Sequence, residues 1–287
     1  MGIRSLNLYV FVIIYCINKW LILNQKPFWH RPHGIKQKER IDMDVSTVAN
    51  TAGCCYLANK VLGQTIDAIG QDLANLYQVG RDKIINAAKR KISNIDDGKN
   101  ANLRVSRDVF WNGSFSTDPI CAEYFGGILA AARTDSGTDD RGVFYVDIIK
   151  SLSASQLYLH YIIYNCLNKL MTANAYNRHV NCALESDISQ RQIHFLLKEL
   201  DDLGVFIQTD FMAVYNKGLI KYYEYGKNSI NNLDTVSMAG TPLGVQLFAV
   251  INNDLDNWVQ FNQKTYTDFP DIKIPKSYTT DIALLQP

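Results

Sequence analysis

Residues 186–252 read SDISQRQIHFLLKELDDLGVFIQTDFMAVYNKGLIKYYEYGKNSINNLDTVSMAGTPLGVQLFAVIN. The fold turns on how this stretch divides. Asp187 is placed to cap a helix, and Gln190 sits three positions on to return the bond. Ile188, Phe195, Leu196, Leu200 and Leu203 recur at steps that mark one helical face, and Gly204 follows where a left-handed C-cap is wanted. Val205–Ile207 has strand composition, and Thr235–Met238 alternates polar with apolar as a half-buried strand does. Thr241 and Pro242 supply a cap and a first-turn proline, and Val245, Leu247, Phe248 and Ile251 give the following helix a buried stripe.

Helix, strand, strand, helix in that order predicts a winged-helix unit whose small antiparallel β-hairpin pairs Val205–Ile207 with Thr235–Met238. The residues between, 209–234, read as an irregular excursion. Tyr215, Tyr222, Tyr223 and Tyr225 interleave there with Lys217, Lys221 and Lys227. Such interleaving suits single-stranded nucleic acid, although a packed aromatic excursion is the commoner use.

Outward from this unit, the chain reads as mainly α. Ser153 with Gln156 predicts a capping box opening an apolar helix, and Asp118-Pro119 predicts the start of a helix crowded with small residues. Residues 44–92 have helical spacing, through Val48, Ala52, Leu62, Ile66, Leu73 and Ile84. The expected divisions are an N-terminal extension over 1–42, a helical part over 43–150, the winged unit over 151–253 and a surface tail over 254–287.

The extension has a use of its own to weigh. Leu6–Leu23 is about long enough to cross a bilayer, with Leu6, Val10, Ile14, Trp20 and Leu23 as the anchoring residues and basic residues following. It reads either as a membrane anchor or as upstream sequence ahead of a start at Met43. In the second case a cytoplasmic protein is expected.

Charge narrows the function classes. The whole chain carries a formal +1 at neutral pH, so no global field draws in nucleic acid or anionic lipid. Between Ala173 and Asn252, eight acids face six bases, a poor start for phosphate neutralisation. Gln190, Arg191 and His194, with Lys217 and Lys221, are the residues from which a duplex could be read. A protein partner or self-association is the favoured use of the unit. The six cysteines include no C-x-x-C pair and read as reduced structural thiols. No nucleophile elbow, P-loop or H-E-x-x-H occurs, and Asp135, Asp139 and Asp140 lack the ligand series of a calcium loop. No catalytic residue, metal ligand or cofactor site is therefore assigned, and a non-enzymatic protein is expected.

LGQTIDAIGQDLANLY, DPICAEYFGGILAAART, DDRGVFYVDIIKSLSASQLYLHYIIYN, LLKELDDLGVFI and TPLGVQLF follow one another along the chain. In that order they resemble the Abi-alpha-like abortive-infection proteins of bacteria. The resemblance runs from about Leu62 to Asn252. It implies a sensor or effector in defence against phage and carries over no catalytic residue.

Overall fold

The computed structural model describes residues 74–173 and 188–286. The expected membrane anchor, the start at Met43, the helical run up to Leu73 and the Asp187 cap lie outside the described residues. The described residues belong to one compact unit, Leu62–Pro287. Its fold is mostly helical with small antiparallel sheets.

The chain enters through a helix that includes residues 74–90, α1. A two-residue strand β1 (Asn100–Ala101) pairs with β2 (Arg133–Thr134), and this clip brackets α2 (Leu103–Gly113) and α3 (Pro119–Ala131). The caps explain the boundaries. The Asn102 side chain accepts the Arg104 and Val105 amides, and Asp118 accepts the Ile120 amide at 3.0 Å ahead of Pro119. Next come α4 (Gly142–Ile149) and the long α5 (Ala154–Ala173). The capping box at the head of α5 forms as expected, Gln156 N–H to Ser153 Oγ at 3.2 Å and Ser153 N–H to Gln156 Oε1 at 3.0 Å.

The decisive stretch divides differently from its sequence reading. Gln192–Leu196 is a strand, β3, not the middle of a helix. Only Leu197–Asp202 is helical, α6. Gly204 takes the left-handed conformation (φ +84°) after it, as expected of the helix end. Val205–Ile207 is no strand and does not pair with Thr235–Met238. Val205 is buried in a turn, its N–H bonded to Leu200 O at 3.0 Å. The Asp210 carboxylate accepts the Phe206 amide at 2.8 Å, and Ile207 opens the next helix, α7 (Ile207–Asn216). The supposed excursion is thus α7 plus the long strand β4 (Ile220–Lys227). It folds because Ile207, Phe211 and Val214 line one helical side and Gly218 (φ +70°) stops the helix.

β5 (Asp234–Gly240) is where the sequence placed a strand, and it is central. It pairs with β3 through Phe195↔Val236 and Ile193↔Met238, and with β4 through Tyr225↔Val236 and Tyr223↔Met238. The sheet order is β4-β5-β3-β6, with β6 (Tyr278–Thr279) antiparallel to β3. Thr241 caps α8 (Pro242–Ile251) by accepting the Gly244 amide at 3.1 Å, again as read from sequence.

One hydrophobic core runs from Ile84 through α2, α3, α5, the sheet and α8 to Phe269. The expected boundary near residue 150 falls inside it. Residues 254–287 are not a surface tail: Phe261, Tyr266, Phe269 and Leu285 are buried, and Phe269 stacks on Tyr161 with ring centroids 4.5 Å apart. The Asp254 carboxylate receives Lys264 Nζ and Tyr266 Oη, each at 2.8 Å.

α3 crosses α8 at a point only glycine permits. A Cβ on Gly127 would lie 2.1 Å from Ile251 O and 2.4 Å from Ile251 Cα. Both are backbone atoms, so relief requires the helices to part. Gly127→Ala is expected to cost about 1–3 kcal/mol, read as a lowered urea midpoint with an unchanged slope; an unaltered midpoint would contradict this crossing.

Candidate functional site

Two side-chain clusters invite a chemical reading. Both resolve into packing. His160, on α5, is wholly buried between Tyr124 of α3 and the start of α8. Its Nε2–H donates to Gly244 O at 3.1 Å, which leaves Nδ1 to accept the Tyr124 hydroxyl proton at 2.5 Å. The Tyr124 oxygen also lies 3.0 Å from Leu157 O. Burial lowers the pKa of His160 to about 3, against the raising effect of its bond to Gly244. With both nitrogens engaged and no solvent access, it is a neutral core group.

The second cluster crosses the outer face of the sheet. Register places Glu224, Ser237, His194 and Thr279 in one row over β4, β5, β3 and β6. His194 Nδ1 meets Ser237 Oγ at 2.6 Å. In this row the Glu224 carboxylate lies opposite the serine and not the imidazole, unlike the order of a nucleophilic triad. Burial lowers the His194 pKa, opposed by Asp281.

The structure places the sequence-derived duplex contacts on different elements. Gln190 and Arg191 precede β3 and His194 lies within it, only 6% exposed. No exposed helix presents the three together. Lys217 follows α7 and Lys221 lies on β4; both are exposed, and Lys221 Nζ bonds Ser189 O at 3.2 Å. Glu123 is buried against Arg90 and Lys91, and Asp147 pairs with Lys150 at 2.5 Å. Among the described residues, no group of three or more His, Cys, Asp or Glu could hold a metal ion. Nor is any helix there long and apolar enough to cross a membrane. Cys121 and Cys166 are buried free thiols.

The feature left over is α7. Its inner side carries Phe211 and Val214 into the core. Phe211 meets Tyr223 and Tyr225 at centroid distances of 5.6 and 6.2 Å, and Tyr225 Oη donates to Ile207 O at 2.8 Å. Helix and hairpin are therefore one rigid piece. The outer side exposes Gln208, Thr209, Met212 and Tyr215, with Phe206 at the head of the helix. Phe206 is 67% exposed, Met212 50% and Tyr215 46%. Tyr215 continues into Tyr223 (6.0 Å) and Tyr223 into Tyr225 (5.6 Å), so the apolar strip extends onto the hairpin, whose tip exposes Ile230. No cation stands on this side until Lys217, beyond the last turn. Sequence reasoning passed over this surface, although Ile207-Phe211-Val214 and Gln208-Met212-Tyr215 each run i, i+4, i+7, the signal of a helix with one core side and one outer side.

Comparison with family models, curated proteins and solved structures finds no match to this chain.

His160 makes one sharp pH expectation. Its folded pKa, about 3, lies below the roughly 6.5 of an unfolded histidine. Above that value the group is neutral in both states. As pH falls from 6.5, the unfolded chain takes a proton that the folded chain refuses, so stability drops. His160→Gln is expected to flatten this loss between pH 6.5 and 4.5 in thermal melts. Equal slopes for the two proteins would mean His160 titrates freely in the fold.

Proposed function

We propose that the protein is a non-enzymatic interaction module of winged-helix type that docks a protein through the outer side of α7. Several features support the architecture. α6 and α7 are joined by a short turn, Leu203–Phe206, that contains a glycine, as helix-turn-helix pairs commonly are. A long helix and a strand precede the pair, a hairpin follows it, and the first strand joins the sheet beside the hairpin's second strand. In such a unit the second helix of the pair is the reading helix.

The observation that carries the functional choice is what this helix displays. Phe206, Met212 and Tyr215 face outward beside Gln208 and Thr209, and α7 carries no arginine or lysine of the kind a duplex reader uses. Exposed aromatic and methionine side chains on a rigid helix are the composition of protein-contact cores. The acids Asp201 and Asp202 at the head of the helix repel phosphate further. The wider role proposed is that of a cytoplasmic sensor or effector in bacterial defence against phage, supported by the resemblance over Leu62–Asn252.

Two measurements test this. A gel shift with duplex DNA at low salt is expected to show no complex; a complex that dissolves as salt rises would overturn the choice in favour of a DNA-binding regulator. In a plaquing assay, cells carrying the gene are expected to resist at least one phage. Met212→Glu should remove that resistance while leaving the folding stability within about 0.5 kcal/mol of wild type. Full resistance in the variant would contradict docking through α7.

A further inference from the structure

Apart from the docking proposed for α7, we infer that the outer edge of β3 is a binding site for a peptide segment of another protein, and that the chain's own last residues occupy it as a displaceable strap. The seated strap shows what the edge accepts. The Glu199 carboxylate of α6 accepts the amides of Lys276 and Ser277 at 2.8 and 3.0 Å. β6 then adds to the sheet, with Tyr278 opposite Phe195 and Thr279 opposite His194. Asp281 turns the chain, its carboxylate accepting the Ala283 amide at 3.0 Å. Past the turn, the side-chain amides of Asn228 and Asn231 at the hairpin tip both donate to Leu285 O, at 3.2 and 2.9 Å. Glu199, Asn228 and Asn231 thus hold main-chain atoms of the strap, whatever side chains it carries.

Selection falls to two side chains. The Tyr278 ring packs near Phe195, centroids 6.3 Å apart, and Leu285 is buried. Lys276, Asp281, Ala283, Leu284 and Gln286 are exposed. Main-chain bonds for affinity and a few seated side chains for choice are the arrangement of sites that bind peptides by strand addition. The partner segment therefore adds a short strand through an aromatic residue and presents a leucine seven positions on, as Tyr278 and Leu285 do.

The strap can leave without the core following. Ile272 and Ile274 pack on the core, Tyr158 Oη donates to Lys273 O at 2.5 Å, and Pro275 is buried. Beyond Pro275 the hold is a two-residue strand, the bonds of Glu199, Asn228 and Asn231, and one buried leucine. These are set against the conformational freedom of the whole segment. With β6 gone, β3 offers its backbone to an incoming strand. With no free linker ahead of Lys276, the tail of a second copy is poorly placed to reach the same edge, which assigns the site to another protein.

Fluorescence anisotropy of a labelled peptide with the sequence of residues 276–286 tests this on the full-length chain. Leu285→Glu releases the strap and leaves the edge intact. That variant is expected to bind the peptide, and wild type to bind it about tenfold or more weakly, because its own tail competes. Glu199→Ala added to the variant should weaken binding about fivefold or more, and a peptide carrying Leu285→Glu should not bind. A Leu285→Glu protein that melts as cooperatively as wild type yet leaves the peptide unbound would overturn the inference, as would equal binding by wild type. Native-state hydrogen exchange reads the strap with no variant at all. The Lys276 and Ser277 amides are expected to exchange about tenfold or more faster than those of Val236 and Met238 in β5; equal protection would overturn the inference. A wild-type dimer in sedimentation equilibrium that Leu285→Glu dissolves would give the edge to a second copy's tail and overturn its assignment to another protein.

Discussion

The hydroxyl of Tyr164 is the point on which the C-terminal half depends. It donates to Leu219 O at 2.5 Å and accepts the Thr241 amide at 2.9 Å. Leu219 leads into β4 and Thr241 leads out of β5, so one oxygen on α5 fastens both feet of the hairpin. The approach is possible because Gly244 has no side chain; a Cβ there would lie 2.0 Å from that oxygen. The ring itself packs against His160, Phe248 and Phe261. With the feet fixed, the pairing of β5 to β4 and β3 sets the sheet. Phe211 against Tyr223 and Tyr225 then sets α7, and the apolar side of that helix is held outward.

A second, ionic tie joins the first helices to the rest. Glu123, buried on α3, receives both Arg90 and Lys91 from the end of α1. Burial lowers the Lys91 ammonium to about 8, against the opposing pull of Glu123. Its Nζ also lies 4.2 Å from the centre of the Phe269 ring, and its carbonyl accepts Asn253 Nδ2 at 2.9 Å. A buried ion pair is seldom a net gain over apolar packing, yet losing one partner strands the other. Through it α1, α3 and the segment after α8 are tied together. The residues after Ile251 are thus a working part of the core.

What sequence made legible was local chemistry. Asp118-Pro119, Ser153 with Gln156, Gly204 and Thr241-Pro242 each end or begin an element where read, because a cap is decided by a side chain and the amides next to it. β5 was legible for the same kind of reason, as an alternating run ahead of a cap. The failure lay in Ile188–Leu203, where apolar residues satisfy the helical and the strand period together. In β3 the polar Gln192 and His194 alternate with Ile193 and Phe195, but Leu196 is buried where a polar residue would continue the alternation, and Leu196, Leu200 and Leu203 keep helical spacing. Once that strand was read as helix, Val205–Ile207 had to be the first strand, and α7 vanished into an insert. The outer side of α7 was lost with it, since a surface becomes visible only when its helix is recognised.

α5 holds the hairpin by that one hydroxyl. Tyr164→Phe keeps the ring and removes the hydroxyl, leaving the buried Leu219 carbonyl and the half-buried Thr241 amide without that partner at a cost of about 1–3 kcal/mol. Site-resolved hydrogen exchange under native conditions reads where that cost falls. The expected result is exchange faster by about tenfold or more at the amides of Val236, Ser237 and Met238, with those inside α3 less affected. Protection of the hairpin equal to wild type would contradict it.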